Sequence, residues 1–289
     1  MATVLKASPI VREHVKNLKL ECKKLKNSGI TPFLKVILVG KHPPSVIYTR
    51  NKKKFMESMG AECEILELDE KISEADFLKT VNQVAQDTSV HGLFVQLPLP
   101  KSLGHIDVGQ LVPPDKDVDG FHAKNLYKVL AGDCGENSLV SCTPKGIITM
   151  LQHHDIDVSG KNVVIIGRSL IVGKPLSMLM TNLNATVTLC HSRTRNLEEI
   201  TKRADIIVAA IGKPRFITKD FLNPVRKSII IDVGINHDPD GNLCGDVHFD
   251  DVQELCSHIT PVPGGVGRMT ILSLGQNLLK AAKNIAKES

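Results

Sequence analysis

The chain has 289 residues, with 36 Lys plus Arg against 31 Asp plus Glu, a formal net charge of +5 and 42% hydrophobic residues, a globular balance at a length that favours two lobes. Eight Phe, two Tyr and no Trp are too few rings for a single-stranded nucleic-acid platform, and the mild, dispersed charge suits a small anionic ligand rather than DNA. No run approaches the roughly 18 apolar residues of a membrane span, the apolar start is too short for a secretory signal, and the seven Cys form no CxxC pair, so we expect a cytoplasmic protein without disulfide framework or metal site.

Phe33–Val39, Ala61–Leu68, Gly92–Leu97, Asn162–Ile166, Ala185–Cys190, Asp205–Ala210 and Ser228–Val233 read as strands. They alternate with segments of helical period, which predicts an α/β protein with mainly parallel sheets. After the first of them, Ser45–Gly60 reads as a helix with Ser45 as N-cap following Pro43 and Pro44. At about 100° per residue, Tyr48, Lys52, Phe55 and Met59 share one stripe, opposite Arg50, Lys54 and Glu57. A lysine on a buried face is costly unless paired. Desolvation lowers its pKa and suits it to proton transfer, whereas a stem that snorkels to water leaves it inert.

Gln96 closes the third strand, at the carboxyl end where open α/β sheets place ligands; the end of the strand explains it equally well. Asp115, Asp117 and Asp119 precede Gly120 in the manner of a calcium loop, but Lys116 and the lack of a Glu at the twelfth position oppose that reading. A loop Asp can instead accept from the N–H groups of a heterocycle or serve turn chemistry. Pro98, Pro100, Pro113, Pro114 and Gly132–Gly135 mark the exit from a first lobe between Leu99 and Ser141, and a second lobe opens near Thr143 and Pro144.

In the second lobe an apolar strand runs into Gly167-Arg168-Ser169-x-x-Val172-Gly173-x-Pro175. A strand, a tight glycine turn and a helix N-terminus form the context of a dinucleotide site, although the spacing is not G-x-G-x-x-G. The next strand ends in Cys190-His191-Ser192-Arg193-Thr194-Arg195, where an NAD site would place an acid. Hydroxyls and guanidinium groups there favour the 2′-phosphate of NADP, against the plainer reading of a solvated basic loop. A final helical stretch, Thr270–Lys287, follows the Pro/Gly-rich run Pro261–Gly267.

Together these residues resemble the bifunctional methylenetetrahydrofolate dehydrogenase/cyclohydrolase family. The resemblance is carried, in order, by Ser45-Val-Ile-Tyr48-x-x-x-Lys52, Gln96-Leu-Pro-Leu-Pro100, Asp115-Lys-Asp-Val-Asp-Gly-Phe-His122, Cys142-Thr-Pro-x-Gly146, the Gly167 segment, Cys190-His-Ser-x-Thr194, Asp232-Val-Gly-Ile-Asn236 and Thr260-Pro-Val-Pro-Gly-Gly-Val-Gly267. It implies two αβ lobes around a folate cleft. The catalytic lobe would be 1–140, completed by a returning helix 268–289, and the Rossmann-like NADP lobe 141–267. It implies oxidation of 5,10-methylenetetrahydrofolate with NADP+ and hydrolysis of the methenyl product to 10-formyltetrahydrofolate, in a homodimer; the alternative is a degenerate member that binds folate or nucleotide without one or both activities. By resemblance Lys52 is the catalytic lysine, Tyr48 its neighbour over the folate, Gln96 its tuner and Asp119 the pterin acceptor. Leu97, Pro263, Gly264 and Gly265 would line the folate site. Gly167, Arg168, Ser169 and Ser192 would hold the nucleotide, with Ile235 near its nicotinamide end. Three positions depart from the family pattern: Tyr127 stands where Gly is usual, and Ser141 and Arg268 where Pro is usual. Tyr127 and Arg268 are bulky neighbours of family motifs, which puts folate affinity in question more than cofactor binding.

Overall fold

The computed structural model describes residues 2–135 and 137–288. In chain order the elements that matter are β1 (Thr3–Val4), α1 (Ala7–Asn27), β2 (Phe33–Val39), α2 (Pro43–Met59), β3 (Glu62–Leu68), α3 (Glu74–Gln86), β4 (Gly92–Val95), α4 (Val108–Leu111), α5 (Ala123–Leu130) and α6 (Cys142–His153). They continue with β5 (Asn162–Ile166), α7 (Gly173–Asn182), β6 (Thr186–Cys190), α8 (Leu197–Thr201), β7 (Ile206–Ala209), β8 (Ile229–Asp232), β9 (Asn236–His237), β10 (Leu243–Cys244), α9 (Phe249–Val252), β11 (His258–Ile259) and α10 (Val266–Glu288). The chain divides into two compact units. One takes Glu13–Cys142 and the chain from Ile271 onward; the other takes the residues up to Arg12 and Thr143–Thr270.

The first unit is built on a parallel sheet of order β3-β2-β4. Strand β2 is the centre, and its apolar run Val36–Val39 is buried, as expected of a strand with helices on its faces. Ile37, Val39, Leu93 and Val95 pack with Phe77 and Val81 of α3 and with Leu103 in one core. The ladder sets the register that matters for the site: Val36 pairs with Phe94 and Ile37 with Val95, and the Gln96 amide still donates to the Ile37 carbonyl at 2.8 Å.

Helix α2 begins two residues before the expected Ser45. His42 is its N-cap, and Pro43 and Pro44 occupy the first turn, where proline's fixed φ is already helical and its missing N–H is no loss. Ser45 is therefore a buried residue inside the helix rather than its cap. At the other end Gly60, at φ 94°, takes the left-handed position that stops the helix. The final helix likewise starts earlier than expected, at Val266. Its part in the first unit is anchored by Asn277, whose Nδ2 donates to the carbonyls of Val118 and Val140, both at 2.8 Å.

The second unit holds a six-stranded parallel sheet of order β1-β11-β8-β7-β5-β6. Strand β5 has its sequence successor β6 on one side and β7 on the other, so the order reverses there, as in the Rossmann arrangement. Val164, Ile166, Ile207, Ile230 and Ile259 form its core. Residues 2–12 lie in this unit and not in the first lobe expected for them: β1 pairs with β11 through Thr3↔His258 and Val4↔Ile259. A two-residue strand has no period to read, and only its partner 255 residues away makes it a strand. No helix among the described residues is long and apolar enough to cross a membrane.

Candidate functional site

Lys52 lies on the buried face of α2 with Ser45, Thr49, Met56 and Met59, and Tyr48 and Phe55 border that face half-buried. The buried stripe is thus rotated slightly from the expected one, and Lys52 stays within it at 5% exposure. The side chain does not snorkel. Its Nζ donates to Gln96 Oε1 at 3.2 Å and sits 4.0 Å from the centroid of the Phe94 ring and 5.8 Å from that of Tyr48. Gln96 Nε2 donates to the Leu97 carbonyl at 2.6 Å, which fixes the amide so that its oxygen faces the lysine.

Burial pulls the Lys52 ammonium below its ordinary pKa, against the raising influence of Asp119, Cys142 and Cys63. The Asp119 carboxyl moves the opposite way: burial raises it, while Lys52 and a hydrogen bond with Cys142 lower it. A cation pushed down and a carboxyl pushed up approach one another in proton affinity, the condition that suits a buried pair to proton transfer. The Tyr48 phenol is raised by burial and remains a neutral donor.

Two of the three aspartates of the loop, Asp117 and Asp119, have separate employment. Asp117 is buried and holds the turn, accepting from the amides of Gly120 at 3.0 Å and His122 at 2.7 Å and from Asn125 Nδ2 at 2.9 Å. Its neighbour Lys116 closes the end of α3 by donating to the carbonyls of Ala85 and Asp87 at 2.8 and 2.7 Å. That leaves Asp119 for the lysine. Behind it, Ser141 Oγ donates to the Gly120 carbonyl at 2.8 Å and the Cys142 amide to the Asp119 carbonyl at 3.2 Å. Ser141, a departure from the family pattern, so gains a bond that proline cannot make. Tyr127 is 68% exposed on α5, whose buried side is Asn125 and Val129. Arg268 is exposed in the first turn of α10.

In the second unit, Gly167 ends β5 at φ 125°, and a Cβ there would strike the Ala210 carbonyl that follows β7; a Cβ on Gly173 would strike the Gly167 carbonyl. The backbone therefore forms a cradle that only glycine permits, at the carboxyl ends of the two strands where the order reverses and at the N-terminus of α7. Arg168, Ser169 and Ser192 are exposed around it. Ser169 Oγ accepts from the Val172 amide at 3.2 Å, and Thr194 Oγ1 accepts from the His191 amide at 2.8 Å, pinning the turn that carries Ser192. Ile235 is 48% exposed beyond β8. A backbone cradle, hydroxyls and a free-standing guanidinium are a donor set that fits a dinucleotide carrying a 2′-phosphate. Pro263–Gly265 belong to the loop before α10 in this unit, where the Gly264 carbonyl accepts from the Ala7 amide at 3.0 Å. Leu97, in the first unit, is exposed beside Gln96.

Two contributors escaped the sequence reading. Phe94 lies in an apolar strand that hides it, although its spacing of two from Gln96 puts both on one strand face. Cys142 carries no local signal beyond its place in the Cys-Thr-Pro segment.

The fold and these sites define a two-domain α/β oxidoreductase with a Rossmann-like NAD(P)-binding domain and a desolvated lysine in its other domain. The model of the tetrahydrofolate dehydrogenase/cyclohydrolase catalytic domain matches residues 5–119, and that of the family's NAD(P)-binding domain matches residues 141–286. The chain is 47% identical over 282 residues to the bifunctional protein FolD of Bacillus subtilis, covering 98% of each. It is similar to the crystal structure of the bifunctional enzyme FolD from Campylobacter jejuni, with a TM-score of 0.93 at 39% identity over 98% of this chain and 99% of that one. It is also similar to the Trypanosoma brucei methylenetetrahydrofolate dehydrogenase-cyclohydrolase solved with NADP cofactor and inhibitor, with a TM-score of 0.92 at 31% identity over 99% of both. The chain belongs to the tetrahydrofolate dehydrogenase/cyclohydrolase family.

Proposed function

We propose that Lys52 is the residue around which this enzyme organises its folate chemistry, with Tyr48, Gln96 and Asp119 as partners. The enzyme oxidises 5,10-methylenetetrahydrofolate with NADP+ to the 5,10-methenyl form and hydrolyses that to 10-formyltetrahydrofolate. Bound NADP+ supplies the hydride acceptor of the first step. Gly167, Arg168, Ser169, Ser192 and Ile235 would hold it, with Arg168 toward the 2′-phosphate. For the oxidation the protein's task is orientation: Asp119 accepts from the pterin N–H groups, and Tyr48 and Leu97 supply contact beside it.

For the hydrolysis, water adding to the methenyl carbon must lose a proton. Neutral Lys52 accepts it, held in place by Gln96. A lowered lysine pKa serves twice, because an ammonium would repel the cationic methenyl group. The observation that carries this reading is the buried Nζ bound to Gln96 Oε1 at 3.2 Å. Given 5,10-methylenetetrahydrofolate and NADP+, the purified protein should form NADPH, with methenyl absorbance decaying afterwards; absence of NADPH would refute the reading. Lys52→Met should abolish hydrolysis of supplied methenyltetrahydrofolate, and undiminished hydrolysis would remove Lys52 from this role. We further assign the protein to the cytoplasm as a homodimer, on family grounds, to be checked by sedimentation at twice the chain mass.

A further inference from the structure

Two carboxylates lie buried near the carboxyl end of the second unit's sheet: Asp232, the last residue of β8, at 3% exposure, and Asp246, just after β10, at 0%. Asp246 Oδ2 accepts from the amides of Ile211 at 2.6 Å and Gly212 at 3.1 Å. Its Oδ1 accepts from the Lys213 amide at 2.8 Å and from Asn236 Nδ2 at 2.9 Å. Three successive amides turned toward one point form the concavity that elsewhere takes an anionic ligand; here the chain fills it with its own carboxylate. Asp232 completes the lock from behind. Its Oδ1 accepts from the amides of Gly234 and Asp246, both at 2.9 Å, and its Oδ2 from that of Val247 at 3.0 Å. The fit is close, since a Cβ on Gly234 would strike the Asp246 carboxyl and one on Gly245 the Asp232 carboxyl.

The first of the two loops tied in this way borders the glycine cradle, and the second carries Ile235. Residues 211–213 follow directly on Ala210, whose carbonyl is the wall against which Gly167 is seated. Asn236 is the neighbour of Ile235. The outer side of the first loop is open: Gly212 is exposed at φ 68°, and a Cβ there would meet nothing within 4 Å. With its amides turned inward and its outer face to solvent, this loop is held in one position and remains accessible.

We infer that Asp246 is a positioning residue for NADP, setting the β7 loop and the Ile235 loop through the amides of Ile211, Gly212 and Lys213 and through Asn236. The inference rests on the assignment of Gly167 and Ile235 to the cofactor. Asp246 itself touches neither substrate nor cofactor; it acts through loops. A carboxylate suits the task because four donors meet two charged oxygens, each bond stronger than a neutral one, and removing the acceptor strands buried amides.

Asp246→Asn keeps the volume but turns an amide N–H toward inward-facing donors. Calorimetric titration should show the Kd for NADP+ rising roughly tenfold or more. Hydrogen exchange of the 211–213 amides should accelerate. Hydrolysis of methenyltetrahydrofolate supplied without nucleotide should stay within about twofold of wild type, because its lysine site belongs to the other unit. An unchanged Kd alongside accelerated exchange would overturn the inference, as would equal losses of NADP+ binding and nucleotide-free hydrolysis. Asn236→Ala, which leaves the carboxylate its three amides, covers the case in which Asp246→Asn does not fold: a several-fold rise in Kd supports the inference and a wild-type Kd refutes it. Failure of the wild-type protein to bind NADP+ in the same titration would instead refute the cofactor assignment.

Discussion

Replacing Phe94 should move the pH dependence of the hydrolase step. The Phe94 ring lies 4.0 Å from Lys52 Nζ, against 5.8 Å for Tyr48, and the lysine is 5% exposed. A cation over a ring is stabilised by about 0.5–1 kcal/mol at exposed sites and about 2 kcal/mol when desolvated. The ring therefore favours the charged form of the buried lysine by about 2 kcal/mol, opposing the burial that lowers it. Phe94→Leu removes the ring's negative face, while Asp119, Cys142, Cys63 and Gln96 still face the amine. The lysine should then lose its proton at lower pH. The acid limb of kcat/KM for methenyltetrahydrofolate hydrolysis reports the free enzyme's base, and it should move to lower pH. A ring-fluorinated phenylalanine at the same position weakens the quadrupole at nearly constant volume and should shift the limb in the same direction. A limb unmoved by both replacements, or moved upward by the fluorinated ring, would refute the assignment of Phe94.

Other outcomes follow from the same geometry. Arg168→Ala should weaken NADP+ more than NAD+ in titrations, and equal losses would remove the 2′-phosphate from its surroundings. Gly167→Ala places a Cβ against the Ala210 carbonyl at φ 125°, so NADP+ binding should fall steeply while nucleotide-free hydrolysis persists; unimpaired binding would contradict the cradle. Burial pushes the Asp232 carboxyl up to about 7 from 3.8, against the three amide bonds that lower it. A folded-state pKa above the unfolded one costs nothing below about pH 4 and costs most above about pH 7, at most about 4 kcal/mol. Stability should therefore fall as pH rises through that window, measured by denaturant midpoints, and Asp232→Asn should flatten the slope; identical slopes would contradict it.

Much of this was legible in the residues because the signals were local. The strands β2, β5, β7 and β8 are buried β-branched runs, and Lys52 betrayed itself by sharing a helical stripe with Met59. Tyr48 and Gln96 gained meaning from Lys52, one turn or one strand end away. What was illegible depended on distant partners. The Asp246 carboxylate meets amides 33 to 35 positions earlier, so Gly-Asp-Val at 245–247 has no local pattern to announce a lock. Strands β1 and β11 are too short for any alternation. The start of α2 is hard to place because a serine after two prolines resembles a cap, yet prolines themselves prefer the first turn.

The hold of Asn277 on the carbonyls of Val118 and Val140 spans 159 and 137 positions of chain. On a ribosome, the segment that carries Asp119 is synthesised long before the helix that closes it. The N-terminal strand β1 waits comparably for β11. Each unit borrows a piece of its chain from beyond the other, so neither can be finished, or excised, as a continuous fragment. Such long-range closure slows folding and lengthens exposure of unfinished sheet edges. The lysine site is accordingly a late product of synthesis, completed only after the nucleotide-binding residues have already been made.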